Sequence, residues 1–224
     1  KLEETAAVGA TGKPEGMEGG MITLKGKVMD LKELAGMEAT IGILDLADGQ
    51  LVVSIKSDPR TGEYLAVVPA GRQYAMHVLA NGYLLHSENI MAGGAGELKE
   101  MNMNINLRSL ESGTQEVMRN IFFERDQAAL DPASLSEMGQ LLTLLRDNPT
   151  LRLEIGGHTD SDGSEEHNDE LSTRRANAVV DHLVNNGIPA ERLVAKGYGA
   201  GQPLVPNDSD ANKARNRRTE LRVL

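Results

Sequence analysis

The chain has 224 residues, 40% of them apolar, and a formal charge of −10, which is long enough for two ordinary globular domains and too apolar for a disordered chain. That charge argues against nucleic acid, whose binding rests on neutralising phosphates, and no Trp, two Phe and four Tyr leave little for stacking on bases or sugars. The absence of cysteine excludes a disulfide framework, a thiolate metal site and a thiol nucleophile, and no run reaches the roughly 18 apolar residues of a helical membrane span.

The sequence begins at Lys1, with no Met and no signal-peptide pattern, and reads as a piece of a longer protein. Residues 1–20 carry Gly9, Gly12, Gly16, Gly19, Gly20 and Pro14 with few large apolar side chains, the composition of a flexible linker. From 21 to 108 the apolar period is two. Ile22, Leu24 and Val28 mark a first strand. Ile41, Ile43 and Leu44 run into the Asp48-Gly49 turn and return through 51–55, a hairpin whose Gly accepts positive φ. Turns at 58–62, Pro69-Ala70-Gly71 and Asn81-Gly82 separate strands over 64–68, 74–79 and 83–90. In the last strand Met101, Met103, Ile105 and Leu107 alternate with Asn102, Asn104 and Asn106, one face apolar and one amidic. About seven short strands with regular turns predict an all-β sandwich. His77 and His86 stand singly in strand patterns and read as packing or surface residues rather than ligands.

After a connector at 109–115, residues 116–224 alternate strand and helix. An apolar strand is predicted over 117–123. Asp131-Pro132 starts a helix, with Asp as cap and Pro at its first position. Leu135, Met138, Leu141, Leu142 and Leu145 form its apolar stripe, and Asn148-Pro149 ends it. A strand follows through Leu151, Leu153 and Ile155. A helix runs from about Asn168 to Asn186 and stops at Gly187-Ile188-Pro189. A strand over 192–198, a short helix over 210–215 and a strand over 218–224 complete a β-α-β-α-β-(short α)-β order, an α/β domain with helices packed on a mixed sheet.

The chemistry concentrates at 155–176. Asp160 follows Gly156-Gly157-His158-Thr159 at the C-terminal end of a strand, where open α/β sheets place their sites. At about 100° per residue along the next helix, Arg175 falls between Leu171 and Val179, beside the apolar stripe. A guanidinium buried there requires a carboxylate, from a ligand or from the protein, Asp160 included. A carboxylate and a guanidinium at one mouth suit a ligand end bearing both an ammonium and a carboxylate. A helix start near Asn168 adds unpaired N–H groups for the same carboxylate. Other patterns are weaker. Asp160, Asp162, Glu165 and Glu166 imitate a calcium loop, but the Gly comes at the fourth position instead of the sixth. His158 and His167 lack the spacing of a zinc protease, and no nucleophile elbow or P-loop is present. No metal or cofactor is therefore expected. The basic cluster of Lys213, Arg215, Arg217, Arg218 and Arg222 has no interleaved aromatics, so nucleic acid is not expected there either.

Five segments, IFFERDQAAL (121–130), LEIGGHTDSDG (153–163), NDELSTRRANAVVDHL (168–183), GIPAERLVAKGYGAGQPLVPN (187–207) and NRRTELRV (216–223), resemble the OmpA-like C-terminal peptidoglycan-binding domain, in that family's order. The resemblance implies a non-catalytic domain that holds the cell wall through the diaminopimelate of the stem peptide. By motif, Asp160 and Arg175 match the family's binding pair. Thr159, Asn168, Leu171 and Ser172 surround the same pocket, Glu124 stands where Asp is frequent, and Arg217 and Arg218 match a terminal pair of which one is structural. Gly26-Lys27-Val28, residues 39–45 and TGEYLAVVPAGRQYAMHVLANGY (61–83) are similar to the carboxypeptidase-regulatory-like (transthyretin-like) sandwich. Together the two halves resemble the tail of envelope lipoproteins, including one of the type IX secretion apparatus. That implies a periplasmic, outer-membrane-associated anchor whose sandwich meets other envelope proteins and whose membrane contact comes from a lipid anchor or domain outside this sequence. Two alternatives stay open: a scaffold in which Asp160 and Arg175 pair with each other, and a cell-wall hydrolase using His158 or His167 as base with Asp160.

Overall fold

A computed structural model describes residues 20–93, 100–124 and 126–224; apart from Gly20, the linker expected at 1–20 lies outside the described residues. The first half contains β1 (Met21–Asp30), β2 (Thr40–Asp45), β3 (Leu51–Lys56), β4 (Glu63–Pro69), β5 (Arg72–Leu79), β6 (His86–Ala92), β7 (Glu100–Asn102) and β8 (Ile105–Leu107). One sheet runs β4-β1-β7 with β8 also on β1, and the other runs β3-β2-β5-β6. Alternation builds both: along β4, Tyr64, Ala66 and Val68 point inward while Leu65 and Val67 stay exposed. Leu24, Val28 and Val68 from one sheet meet Ile41, Ile43 and Met76 from the other in a single core, each such side chain contributing about 1.5–3 kcal/mol of burial.

The strand expected at 101–107 is two pieces, interrupted at Met103 and Asn104. β1 crosses the interruption at Gly26, where a Cβ would sit 1.9 Å from the Met103 carbonyl oxygen. At so close a crossing the Met103 N–H still donates to the Lys25 carbonyl at 2.8 Å, and side chains add to the backbone bonds. Tyr64 donates to the Met103 carbonyl at 2.8 Å, and the Lys27 N–H donates to Asn104 Oδ1 at 3.0 Å. The strand expected from Tyr83 begins only at His86, because Leu84 and Leu85 leave the sandwich and are buried in the core of the second half.

That half contains β9 (Gln115–Met118), α1 (Leu135–Asp147), β10 (Leu153–His158), α2 (Glu165–Asn185), β11 (Leu193–Gly197), α3 (Asp210–Asn216) and β12 (Arg218–Val223). Its sheet runs β11-β10-β12-β9, with β10 and β11 parallel and the other pairs antiparallel. Met138, Leu141 and Leu145 of α1 and Val179 and Leu183 of α2 are buried against Leu153, Ile155 and Leu221 of this mixed sheet.

Three boundaries differ from expectation. The strand predicted over 117–123 ends at Met118, which faces Thr219 near the start of β12; beyond it no ladder remains to join. Leu135, placed in the stripe of α1, is 53% exposed. It follows a 3-10 turn at Pro132–Ser134, capped by Asp131, and precedes the inward face, where Glu137 is buried instead. α2 starts at Glu165, with Ser164 Oγ accepting from the His167 N–H at 3.2 Å. Asn168 is thus inside the helix, and the unpaired N–H groups expected beside it belong to an earlier turn.

The halves meet at a buried polar joint. His77 and Ser87 are cross-strand neighbours on β5 and β6. His77 Nε2 lies 2.6 Å from Glu137 Oε2, to which Ser87 Oγ donates at 2.8 Å and Asn120 Nδ2 at 3.2 Å. All four side chains are buried, and donors from both halves converge on Oε2 and compensate its burial, while Oε1 has no hydrogen-bond partner among the described residues.

Candidate functional site

β10 delivers the site. Gly157 lets its end lie against α2: a Cβ there would sit 2.2 Å from the Ser172 carbonyl oxygen. The Thr159 N–H donates to the Gly199 carbonyl at 2.9 Å, which fixes the next residue, Asp160. Asp160 is only 6% exposed. Its Oδ1 accepts from the Asp162 N–H at 2.9 Å and its Oδ2 from Arg217 Nη1 at 2.5 Å. Burial alone would raise its pKa; the Arg217 hydrogen bond, the Asp162 N–H and the charges of Arg217 and Lys213 outweigh that and hold the carboxyl below its ordinary range.

Arg175 is 8% exposed. Its Nε donates to the Gln127 carbonyl at 2.9 Å and its Nη2 to the Glu124 carbonyl at 3.1 Å, with its guanidinium carbon 5.1 Å from the Phe123 ring centre. Burial lowers its pKa, and the charges of Asp126 and Asp160 push the other way; an arginine stays charged regardless. The internal Asp160–Arg175 bond of the scaffold alternative is not among these contacts: Asp160 is held by Arg217, and Arg175 by backbone carbonyls.

Both nevertheless line one cleft of about 880 Å³. Thr159, Asn168 and Leu171 line it too. Asn168 Nδ2 ties the turn together, donating to the Asp162 carbonyl at 2.9 Å and the Asp160 carbonyl at 3.4 Å. The buried Thr159 hydroxyl has no hydrogen-bond partner among the described residues. Two expected members do not line the cleft. Ser172 is buried behind it, donating to the Asp169 carbonyl and accepting from the Gly199 N–H. The Glu124 side chain is exposed, and the residue serves through its carbonyl, which accepts from Arg175.

Sequence reasoning gave Arg217 no contact, although its neighbour makes the division of labour legible. The Arg218 guanidinium is occupied by Glu220, the Asn216 carbonyl and the Gln202 carbonyl, whereas Arg217 reaches Asp160. Asn216, wholly buried, sets this up by bonding Leu204, Val205 and Asn207. His158 is buried and stacked on Tyr198 at 4.9 Å between ring centres, with Nε2 3.3 Å from Glu220 Oε2. Among the described residues no group of three His, Asp or Glu is placed to hold a metal ion.

Residues 122–217 match the OmpA family. Outer membrane porin F of Pseudomonas fluorescens is 36% identical over 104 residues, 46% of this chain and 32% of that protein. The peptidoglycan-binding protein ArfA of Mycobacterium tuberculosis is 36% identical over 103 residues, again 46% of this chain and 32% of that protein. The chain thus spans about a third of the length of these relatives. The crystal structure of the peptidoglycan-associated lipoprotein from Burkholderia pseudomallei aligns with a TM-score of 0.44 and 27% identity, covering 46% of this chain and 88% of that one.

Proposed function

We propose that this chain, whose residues 122–217 form an OmpA-like domain preceded by an N-terminal β domain, is a non-enzymatic module that holds peptidoglycan by the diaminopimelate of its stem peptide. One observation carries the reading: a carboxylate and a guanidinium, both nearly buried, line the same cleft without neutralising each other. Asp160 accepts from the ligand's ammonium, sharing itself with Arg217. Arg175, already aligned by two carbonyls, donates to the ligand's carboxylate, and the Thr159 hydroxyl gains the partner it lacks. Each charge-assisted bond contributes about 1.5–3 kcal/mol net. A lysine in the same position of the peptide lacks the carboxylate and leaves Arg175 unanswered.

In the same reading the N-terminal β domain is a carboxypeptidase-regulatory-like spacer. The module belongs to a periplasmic face of an outer-membrane protein or lipoprotein, and it anchors a larger envelope assembly of the type IX secretion kind to the wall. A repeating wall lets retention exceed the affinity of one site. Sedimentation with purified sacculi tests the core claim. Wild type is expected to pellet and Asp160→Ala and Arg175→Ala to remain in solution; equal retention of all three rejects the site.

The Asp160–Arg217 contact favours one competitor, a purely structural ion pair. Under it, Asp160→Ala lowers the melting temperature, while a diaminopimelate peptide leaves the wild-type melting temperature unmoved.

A further inference from the structure

We infer that the cleft is built by both domains, and that Arg119 at their seam binds a second carboxylate of the peptide, beyond the diamino acid end. The inference rests on the reading above and extends it to the part of the ligand that Asp160 and Arg175 do not reach.

The cleft continues past those two residues to Arg119, just after β9, and to Glu88 and Asn89 on β6 of the sandwich. Its volume, about 880 Å³, lies near the top of the range of roughly 300–1,000 Å³ that encloses drug-sized ligands. One amino-acid end does not fill such a space.

The far wall is fixed, not loosely apposed. Asn120 Nδ2 donates to Ser87 Oγ at 2.8 Å and to the Glu88 carbonyl at 3.2 Å, and Asn89 Nδ2 donates to Asn120 Oδ1 at 3.3 Å. The Arg119 N–H reaches Ser87 Oγ at 3.3 Å. β6 and the residues after β9 are therefore stitched into one surface, with the buried Glu137 joint beneath it.

Charge indicates what that surface takes. The cleft is lined by five arginines and four carboxylates, in a chain whose overall charge is −10. With Arg218 already met by Glu220, the lining is near charge balance in a chain that is otherwise strongly acidic, and a zwitterionic ligand end leaves it so; a further anion on the same ligand is therefore favoured here over the acidic surface elsewhere. Arg119 is the cleft arginine that stands at the domain seam, beside Glu88 and Ser87 of the sandwich. Its side chain is 47% exposed, and its Nε lies 3.2 Å from Glu88 Oε2. That contact engages one of the five donors of a guanidinium, so Glu88 orients Arg119 and its outer edge can take a carboxylate.

The test is calorimetric titration of the whole chain with three probes: free diaminopimelate, the tripeptide alanyl-γ-glutamyl-diaminopimelate, and that tripeptide with its glutamyl carboxylate amidated. Arg119→Ala is expected to weaken the tripeptide about tenfold and to leave diaminopimelate unchanged. Amidation should cost the wild type the same factor and the variant nothing further. Arg119→Gln, which keeps more of the side chain, should behave like Arg119→Ala. Equal loss for all three probes, or no loss for the tripeptide, overturns the inference. Arg175→Ala separates the two levels of the argument: if it abolishes diaminopimelate binding while Arg119→Ala changes nothing, the diamino acid site stands and only the second subsite falls. If the wild type binds none of the probes, both fall.

Discussion

Asp160 takes its internal partner from Arg217 while Arg175 leans on two carbonyls, so the two substitutions should differ in kind. Asp160→Asn keeps an acceptor for the Asp162 N–H and removes the charge; binding of a diaminopimelate peptide should fall at least about tenfold, read by calorimetry, with little loss of helix or strand signal. Arg175→Lys replaces a planar fork by a point donor. It should weaken binding and also destabilise the fold by about 1–3 kcal/mol through the orphaned carbonyls, read as a lower urea midpoint. Glu220 supplies a pH signature near the same site. Burial alone would raise its pKa, but His158 and Arg218 bring it down to about 2 from 4.5. A carboxyl with a lower pKa in the folded chain stabilises fully above about 4.5 and loses that share as pH falls toward 2. Because the group is only partly buried, the share is on the order of 2 kcal/mol. Urea midpoints between pH 6 and 2 should show this loss, and Glu220→Gln should flatten it.

Between elements, the joins matter more than the strands. His86 on β6 lies 2.9 Å from Glu116 on β9 and 3.4 Å from Glu88, while Arg108 and Arg119 face the same two carboxylates. Burial would lower the His86 pKa; the two carboxylates overcome that and raise it to about 9. A histidine raised in the folded state stabilises fully below about 6.5 and loses that contribution as pH climbs through 9. Hydrogen exchange at β6 and β9 should therefore quicken between pH 6.5 and 9 beyond the intrinsic rate, and His86→Gln should abolish the excess. The sequence made much of this architecture legible, because strand, turn and helix write their periods locally. Asp160 and Arg175 could be found for that reason, within one strand-turn-helix unit. The contact of Arg217 with Asp160 could not, since it spans 57 residues. Nor could the burial of Glu137 be found, because two of the donors that surround it, His77 and Ser87, belong to the other domain.

Across the whole molecule, Glu137 ties two separate hydrophobic cores, and we expect it to couple their unfolding. Glu137→Ala leaves His77, Ser87 and Asn120 facing a void, which should cost about 3–5 kcal/mol. Scanning calorimetry should show one transition for the wild type and two for Glu137→Ala. A mechanical corollary follows from β6. Ser87 grips the joint, and its neighbours Glu88 and Asn89 wall the cleft. With wall material seated in the cleft and tension applied at Met21, sliding the sandwich by one residue would break the joint and open the cleft in the same stroke. Such a linkage does not creep under load. It should hold with a stiff, nearly constant extension and then let go in a single rupture, and releasing the ligand beforehand should lower the force at which the sandwich shears away.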